Sequence, residues 1–110
     1  MKLNQKKCKP CEGGIPALSS SEIEEYRKQL HADWLVKDKK LIYREWKFVN
    51  FVQTMKFVNK VAQVAEEEGH HPVIHVGYGT CTIEIWTHAI DGLSENDFIL
   101  AAKIDELSGG

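Results

Sequence analysis

The sequence predicts an α+β domain: a four-stranded antiparallel sheet with three helices on one face, in the order α-β-β-α-β-β-α. Three observations carry this. Three stretches with apolar residues at helical spacing each open on a capping signal. Between them lie two pairs of short strand-like runs, each pair joined by a tight polar or glycine-containing turn. Such short links permit antiparallel pairing alone, and helices that cannot sit between the strands must gather on one side of the sheet. The 110 residues, 43% of them hydrophobic, supply enough apolar material for one core and not two.

The elements follow in order. Residues 1–18, with Pro10, Gly13, Gly14 and Pro16, show no apolar period and read as an irregular N-terminal arm; residues 19–110 form the single domain. Ser19-x-x-Glu22 is a capping box, with Leu18 and Ile23 placed as a hydrophobic staple, and predicts a first helix from about Ser20 to Leu30. Trp34-Leu35-Val36 and Leu41 to Trp46 flank the polar turn Lys37-Asp38-Lys39-Lys40 and predict a hairpin. Asn50 caps a long second helix whose apolar stripe is expected to be Phe51, Met55, Val58, Ala62 and Ala65, stopping at Gly69. Val73 to Gly77 and Thr80 to Thr87, around Tyr78-Gly79, predict a second hairpin. Leu93-Ser94-x-x-Asp97-Phe98 repeats the box and staple for a third helix ending near Gly109, with Leu100, Ile104 and Leu107 on one stripe.

The second hairpin can be read in register. A two-residue turn at Tyr78-Gly79 opposes Val76 to Cys81 and Ile74 to Ile83, apolar against apolar. The other face would carry His71, Val73 and His75 against Thr82, Glu84, Trp86 and His88, with His71 opposite Trp86. His88 then becomes a diagonal neighbour of His71, about 7–8 Å away, and His70 sits just outside the strand. The sequence therefore predicts a histidine cluster on the sheet face that the helices leave uncovered. Imidazole gives and takes protons near neutral pH, so the cluster points to acid/base chemistry. Pro72 biases His71 toward an extended backbone. Glu66, Glu67 and Glu68 sit unfavourably at the negative end of the second helix dipole. Glu66 could orient a histidine and favour its charged form. His31 is expected to meet the carbonyls ending the first helix, and His75 to be an ordinary strand residue.

Charge and cysteine usage exclude other classes. A net charge of -2 with mixed signs gives no basic patch for nucleic acid, and the one basic run, Lys2 to Lys9, is short. No apolar stretch approaches a membrane span, and the start lacks the apolar core of a signal peptide, so a cytoplasmic protein is expected. Cys8-x-x-Cys11 lacks the second pair that a structural zinc site needs and is read without a metal or redox role, and Cys81 reads as a small buried hydrophobe. Three histidines can also hold a divalent metal, the alternative to acid/base work.

Glu66-x-x-x-His70-His71-Pro72, then Tyr78, then Thr87-His88-x-x-x-Gly92-Leu93-Ser94-x-x-Asp97 resembles the pterin-4a-carbinolamine dehydratase family, also known as the dimerisation cofactor of a homeodomain transcription factor. The resemblance spans Ser19 to Leu107 and makes 19–110 a pterin dehydratase-like domain. It implies dehydration of a 4a-hydroxytetrahydropterin to a quinonoid dihydropterin, without metal or organic cofactor. It implies His70, His71 and His88 as catalytic residues, with His71 the expected base and His88 or His70 the acid. Gly69, Pro72, Trp86, Thr87, Ala89 and Glu66 would bind the pterin. Where some relatives carry an acidic residue before the histidine pair, this chain has Gly69. The resemblance further implies a homodimer or homotetramer and a link to an aromatic amino acid hydroxylase. Relatives that dock onto a transcription factor supply a second alternative, a protein-binding module.

Overall fold

The capping signals do open helices in the computed structural model, which describes residues 2–9 and 16–107. Ser19 Oγ accepts the Glu22 backbone N–H at 3.3 Å, and the Glu22 carboxylate accepts the Ser19 N–H at 2.9 Å. This closed box starts α1, Ser20–Arg27. The helix is one turn shorter than expected, because the N–H groups of Gln29 and Leu30 bond three residues back, to Tyr26 and Arg27. That tightening turns Leu30 into the core.

The first hairpin is β1, Leu35–Lys37, and β2, Leu41–Lys47. Its turn holds Asp38 at φ 54° and Lys39 at φ 58°, the left-handed pair whose twist matches that of the strands. Asn50 accepts the Gln53 N–H at 2.9 Å and starts α2, Phe51–Glu68. The second hairpin is β3, Val73–Val76, and β4, Thr80–Ile85. The chain closes with α3, Glu95–Leu107; the expected continuation to Gly109 lies outside the described residues.

The strands form one antiparallel sheet in the order β1-β2-β4-β3. The expected register holds, with Ile74 opposite Ile83 and Val76 opposite Cys81. Alternation along β2 and β4 sends Ile42, Arg44, Trp46, Cys81, Ile83 and Ile85 to the helix-covered face, where all are buried. The core lies between that face and the helices, and α3 supplies its centre with Phe98, Leu100 and Ile104, all fully buried. Cys81 is buried as expected.

The stripe of α2 differs from the expectation. Thr54, Phe57, Val61 and Ala65 face the core, while Phe51 is 48% exposed and Ala62 is exposed. Two apolar stripes overlap on this helix, and the sheet takes the one that brings Phe57 against Trp46 and Phe48. Of the expected stripe, Ala65 lies in the core and Val58 packs against it, while Phe51 and Ala62 face outward.

Two further contacts fix the layers. Arg44, buried on the helix side of the sheet, places Nη1 2.7 Å from Asp105 Oδ1, which also accepts the Trp34 indole N–H at 2.8 Å. Residues 2–9 lie against α3 through the buried Leu3 and the single 3₁₀ turn Leu3–Gln5. Cys11 lies outside the described residues.

Candidate active site

The histidine pair owes its position to how α2 stops. Gly69 adopts φ 65°, a left-handed conformation free of cost for a residue without Cβ. Its N–H returns to the Glu66 carbonyl and the His70 N–H to that of Ala65, the paired bonds of a Schellman ending. His70 and His71 are therefore turned off the helix end. Pro72, at the position that would pair with Ile85, has no N–H to give, and the β3–β4 ladder stops at Val73 opposite Glu84.

That stop corrects the register argument. His71 is not on a strand, and β4 ends at Ile85, before Trp86 and His88. The chain leaves the sheet and closes a small loop, the Thr87 N–H bonding the Gly92 carbonyl at 2.9 Å, with His88–Ile90 in a 3₁₀ turn inside it. The histidines do not meet on the open sheet face. They meet beyond the end of the sheet, where the α2–β3 and β4–α3 connections face each other.

An open cleft of about 520 Å³ lies there. Gly69, His70 and His71 line it from one connection, and Thr87, His88 and Ala89 from the other. Of the remaining expected binding residues, none contributes a wall. Glu66 holds His71 from outside, Oε1 lying 3.0 Å from Nε2, and Trp86 packs against His88 with ring centres 4.5 Å apart and the planes tilted by 48°. Pro72 acts through the backbone.

The two histidines of the pair have different surroundings. His71 is 60% exposed, whereas the His70 side chain is 12% exposed and its Nε2 lies 2.5 Å from Asp97 Oδ1. Asp97 is fully buried, and its second oxygen accepts the Ser94 N–H at 2.8 Å and the Thr87 hydroxyl at 2.9 Å. The residue expected as half of a helix-start box therefore also aims an imidazole into the cleft. Its Nε2 is engaged by Asp97 while the residue lines the cleft, so Nδ1 of His70 is the ring nitrogen left for a ligand. His75, by contrast, pairs with Glu84 at 2.8 Å on the open sheet face, away from the cleft. His31 does not cap α1; its Nδ1 accepts the Asp33 N–H at 3.1 Å inside a turn. Among the described residues no three of His, Cys, Asp and Glu converge to hold a metal ion.

The third side of the cleft was not expected. Cys8, Lys9, Glu68 and Asn96 also line it. Burial pushes the Glu68 carboxyl upward, but the Cys8 N–H at 2.9 Å and the Lys103 ammonium at 2.9 Å outweigh that and hold it below the usual carboxylate range. Burial, reinforced by the Glu68 charge, pushes the Cys8 thiol up to about 12. Cys8 is thus a neutral thiol at physiological pH, and alkylation depends on the thiolate. In the native protein at pH 8.5, Cys8 is expected to label at least tenfold more slowly than in urea, as read by peptide mass mapping. Equal rates would show that the thiol is neither buried nor raised.

The sequence signal for Asp97 was present but local. Spacing from Ser94 announces a cap, while the bond to His70 joins residues that no short pattern connects. Glu68 read as part of an acidic run at the end of the second helix, and nothing local distinguishes it from Glu67.

Comparison with known proteins points to one family. A family model described as Pterin 4 alpha carbinolamine dehydratase matches residues 16–107. A protein of Rickettsia canadensis named for pterin-4-alpha-carbinolamine dehydratase is 50% identical over 103 residues, 94% of each chain. One of Nitrosomonas europaea with the same name is 54% identical over 105 residues, 96% of this chain and 92% of its own. Among solved structures, a transcriptional coactivator/pterin dehydratase of Brucella melitensis superposes with TM-score 0.78 at 30% identity, over 84% of this chain and 99% of the other. A pterin dehydratase-like RuBisCO assembly factor of the alpha-carboxysome gives TM-score 0.62 at 26% identity, over 73% and 94%.

Proposed function

Because the chain belongs to the pterin 4 alpha carbinolamine dehydratase family, we propose that it is a hydro-lyase that dehydrates a 4a-hydroxytetrahydropterin to the quinonoid dihydropterin during pterin recycling. The observation that carries the chemistry is the meeting of His70, His71 and His88, from two separate connections, around one cleft of about 520 Å³. That volume lies within the range of small-molecule sites. Loss of water breaks the C4a–O bond and an N–H bond of the ring. One group must protonate the departing oxygen while another removes the ring proton, and imidazoles on two sides of a flat ring do both without displacing the substrate.

In this reading His71 is the base and His88 or His70 the acid. Gly69, Thr87 and Ala89 contact the pterin, Glu66 steadies His71, and Trp86 supports His88. The test is an assay with freshly generated 4a-hydroxytetrahydropterin. His71→Ala and His88→Ala are each expected to lower kcat/KM by about 100-fold or more, the usual scale of a general acid or base, with circular dichroism and oligomeric state unchanged. Wild-type turnover in both variants sinks the assignment.

The chain is further proposed to form a homodimer or homotetramer in the cytoplasm, downstream of an aromatic amino acid hydroxylase that generates its substrate. Among the described residues no helix is long and apolar enough to cross a membrane. The outer edges of β1 and β3 carry no strand partner among the described residues, and Phe51, Val52, Val76 and Tyr78 are 42–72% exposed. Edges and apolar surface of this kind are what subunit contacts use. The same surface favours a second reading, a protein-docking module, since one structural neighbour is named a transcriptional coactivator/pterin dehydratase and the other a RuBisCO assembly factor. Docking does not require His71, so its replacement separates the two.

A further inference from the structure

We propose that the N-terminal arm is part of the substrate site: Cys8 and Lys9, clamped by Asn96 and Glu68, form the wall that holds the pterin between the two histidine connections. This rests on the dehydratase reading for the identity of the ligand, and on the clamp geometry for the rest.

The clamp is built like a strand pair. The Asn96 carboxamide accepts the Lys9 N–H at 2.9 Å and donates to the Lys9 carbonyl at 2.6 Å, so one side chain satisfies both backbone groups of one arm residue. Asn96 is 8% exposed, and its backbone carbonyl lies 3.5 Å from Cys8 Sγ. Glu68, with a side chain 5% exposed, takes the Cys8 N–H, and Lys6 adds an ion pair to Glu95 at 2.8 Å. Asn96 and Glu68 leave α3 and α2 beside Asp97 and Gly69, the residues that set His70. The arm is therefore fixed to the same two helix ends as the catalytic imidazoles.

The position has a consequence for binding. Without the arm, the cleft is bounded by the two connections and open on the side of Cys8 and Lys9. A flat bicyclic ligand gains affinity from burial of most of its surface, and an open side forfeits part of it. The half-buried Cys8 offers a wall that carries no charge, and the exposed Lys9 offers a cation at the rim. Neither is required for proton transfer, so the arm acts on binding and not on the chemical step.

The test uses the full chain with Asn96→Leu, which removes both clamp bonds at similar volume, and Lys9→Pro, which removes the donated N–H from an exposed residue and leaves the core untouched. Affinity for a 7,8-dihydropterin, a stable bicyclic probe, is read by fluorescence titration, and KM and kcat with the 4a-hydroxy substrate are read separately. At least a tenfold loss of affinity and a matching rise in KM, with kcat within about twofold and the pH profile of kcat unchanged, is the expected result. Lys9→Pro with wild-type affinity and KM overturns the proposal, as does a fall in kcat with KM unchanged. If the wild type binds the probe, the variants lose it, and no dehydration occurs, the arm proposal stands and the dehydratase reading falls. If the wild type does not bind the probe at all, both fall.

Discussion

Asp97→Asn is expected to lower turnover by about 100-fold or more while leaving the protein folded, because this carboxylate aims an imidazole proposed to act in the reaction and does so from full burial. The native carboxylate accepts at every contact: His70 on one oxygen, Ser94 and Thr87 on the other. An asparagine has one accepting oxygen. If that oxygen stays with the helix start, the amide NH₂ faces His70 Nε2, and the imidazole must present a lone pair there and carry its proton on Nδ1, reversing the face shown to the cleft. If the amide turns the other way, the Ser94 N–H loses its acceptor. The first arrangement costs less, since a buried donor without a partner is expensive. The expected signature is a kcat loss with KM changed less than threefold, together with an altered pH dependence of kcat. Turnover within twofold of wild type would show that the orientation of His70 does not matter to the reaction.

The largest effect on stability is expected from Asp105→Ala. Its carboxylate is 13% exposed and holds the Arg44 guanidinium, 8% exposed, and the indole of Trp34, fully buried. Removing it leaves a charge and a donor inside the protein. Asp33, 3.9 Å from Arg44 and largely exposed, compensates in small part. Breaking a buried pair from one side costs about 3 kcal/mol, which for a domain of this size corresponds to a fall in Tm of roughly 15 °C. Thermal denaturation followed by circular dichroism measures it. Arg44→Met/Asp105→Leu, which removes both charges, should recover much of the loss. A single variant that melts within about 3 °C of wild type would show that the network is not a stabilising centre.

How much of this was legible in the sequence depends on how far apart the interacting residues are. The capping residues Ser19 and Asn50 and the glycine that ends α2 are local devices, readable over four residues, and each lies where the chain needs it. The register of the second hairpin was readable because a tight turn and an alternating pattern agree. It was carried too far: Pro72, read for its effect on His71, also ends the ladder, and His88 therefore stands on a loop. The stripe of α2 was misjudged because two sets of apolar residues share that helix and nothing local says which one meets Trp46. Arg44 falls on the core face by alternation, but its partner Asp105 is 61 positions away. Separations of 27 residues between His70 and Asp97 and 87 between Lys9 and Asn96 likewise hid the part played by Asp97 and the path of the arm. The family motif singled out three histidines that line one cleft, without telling how they are brought there.

One carboxylate, that of Asp97, both starts α3 and steers His70, so the chemistry proposed for that imidazole is tied to the first turn of a helix. Helix termini open far more readily than helix centres. Each time that turn frays, the imidazole loses its guide although the core remains intact. Warming should therefore silence the enzyme some degrees before it melts, and a ligand that seats against His70 should in turn quieten the end of the helix.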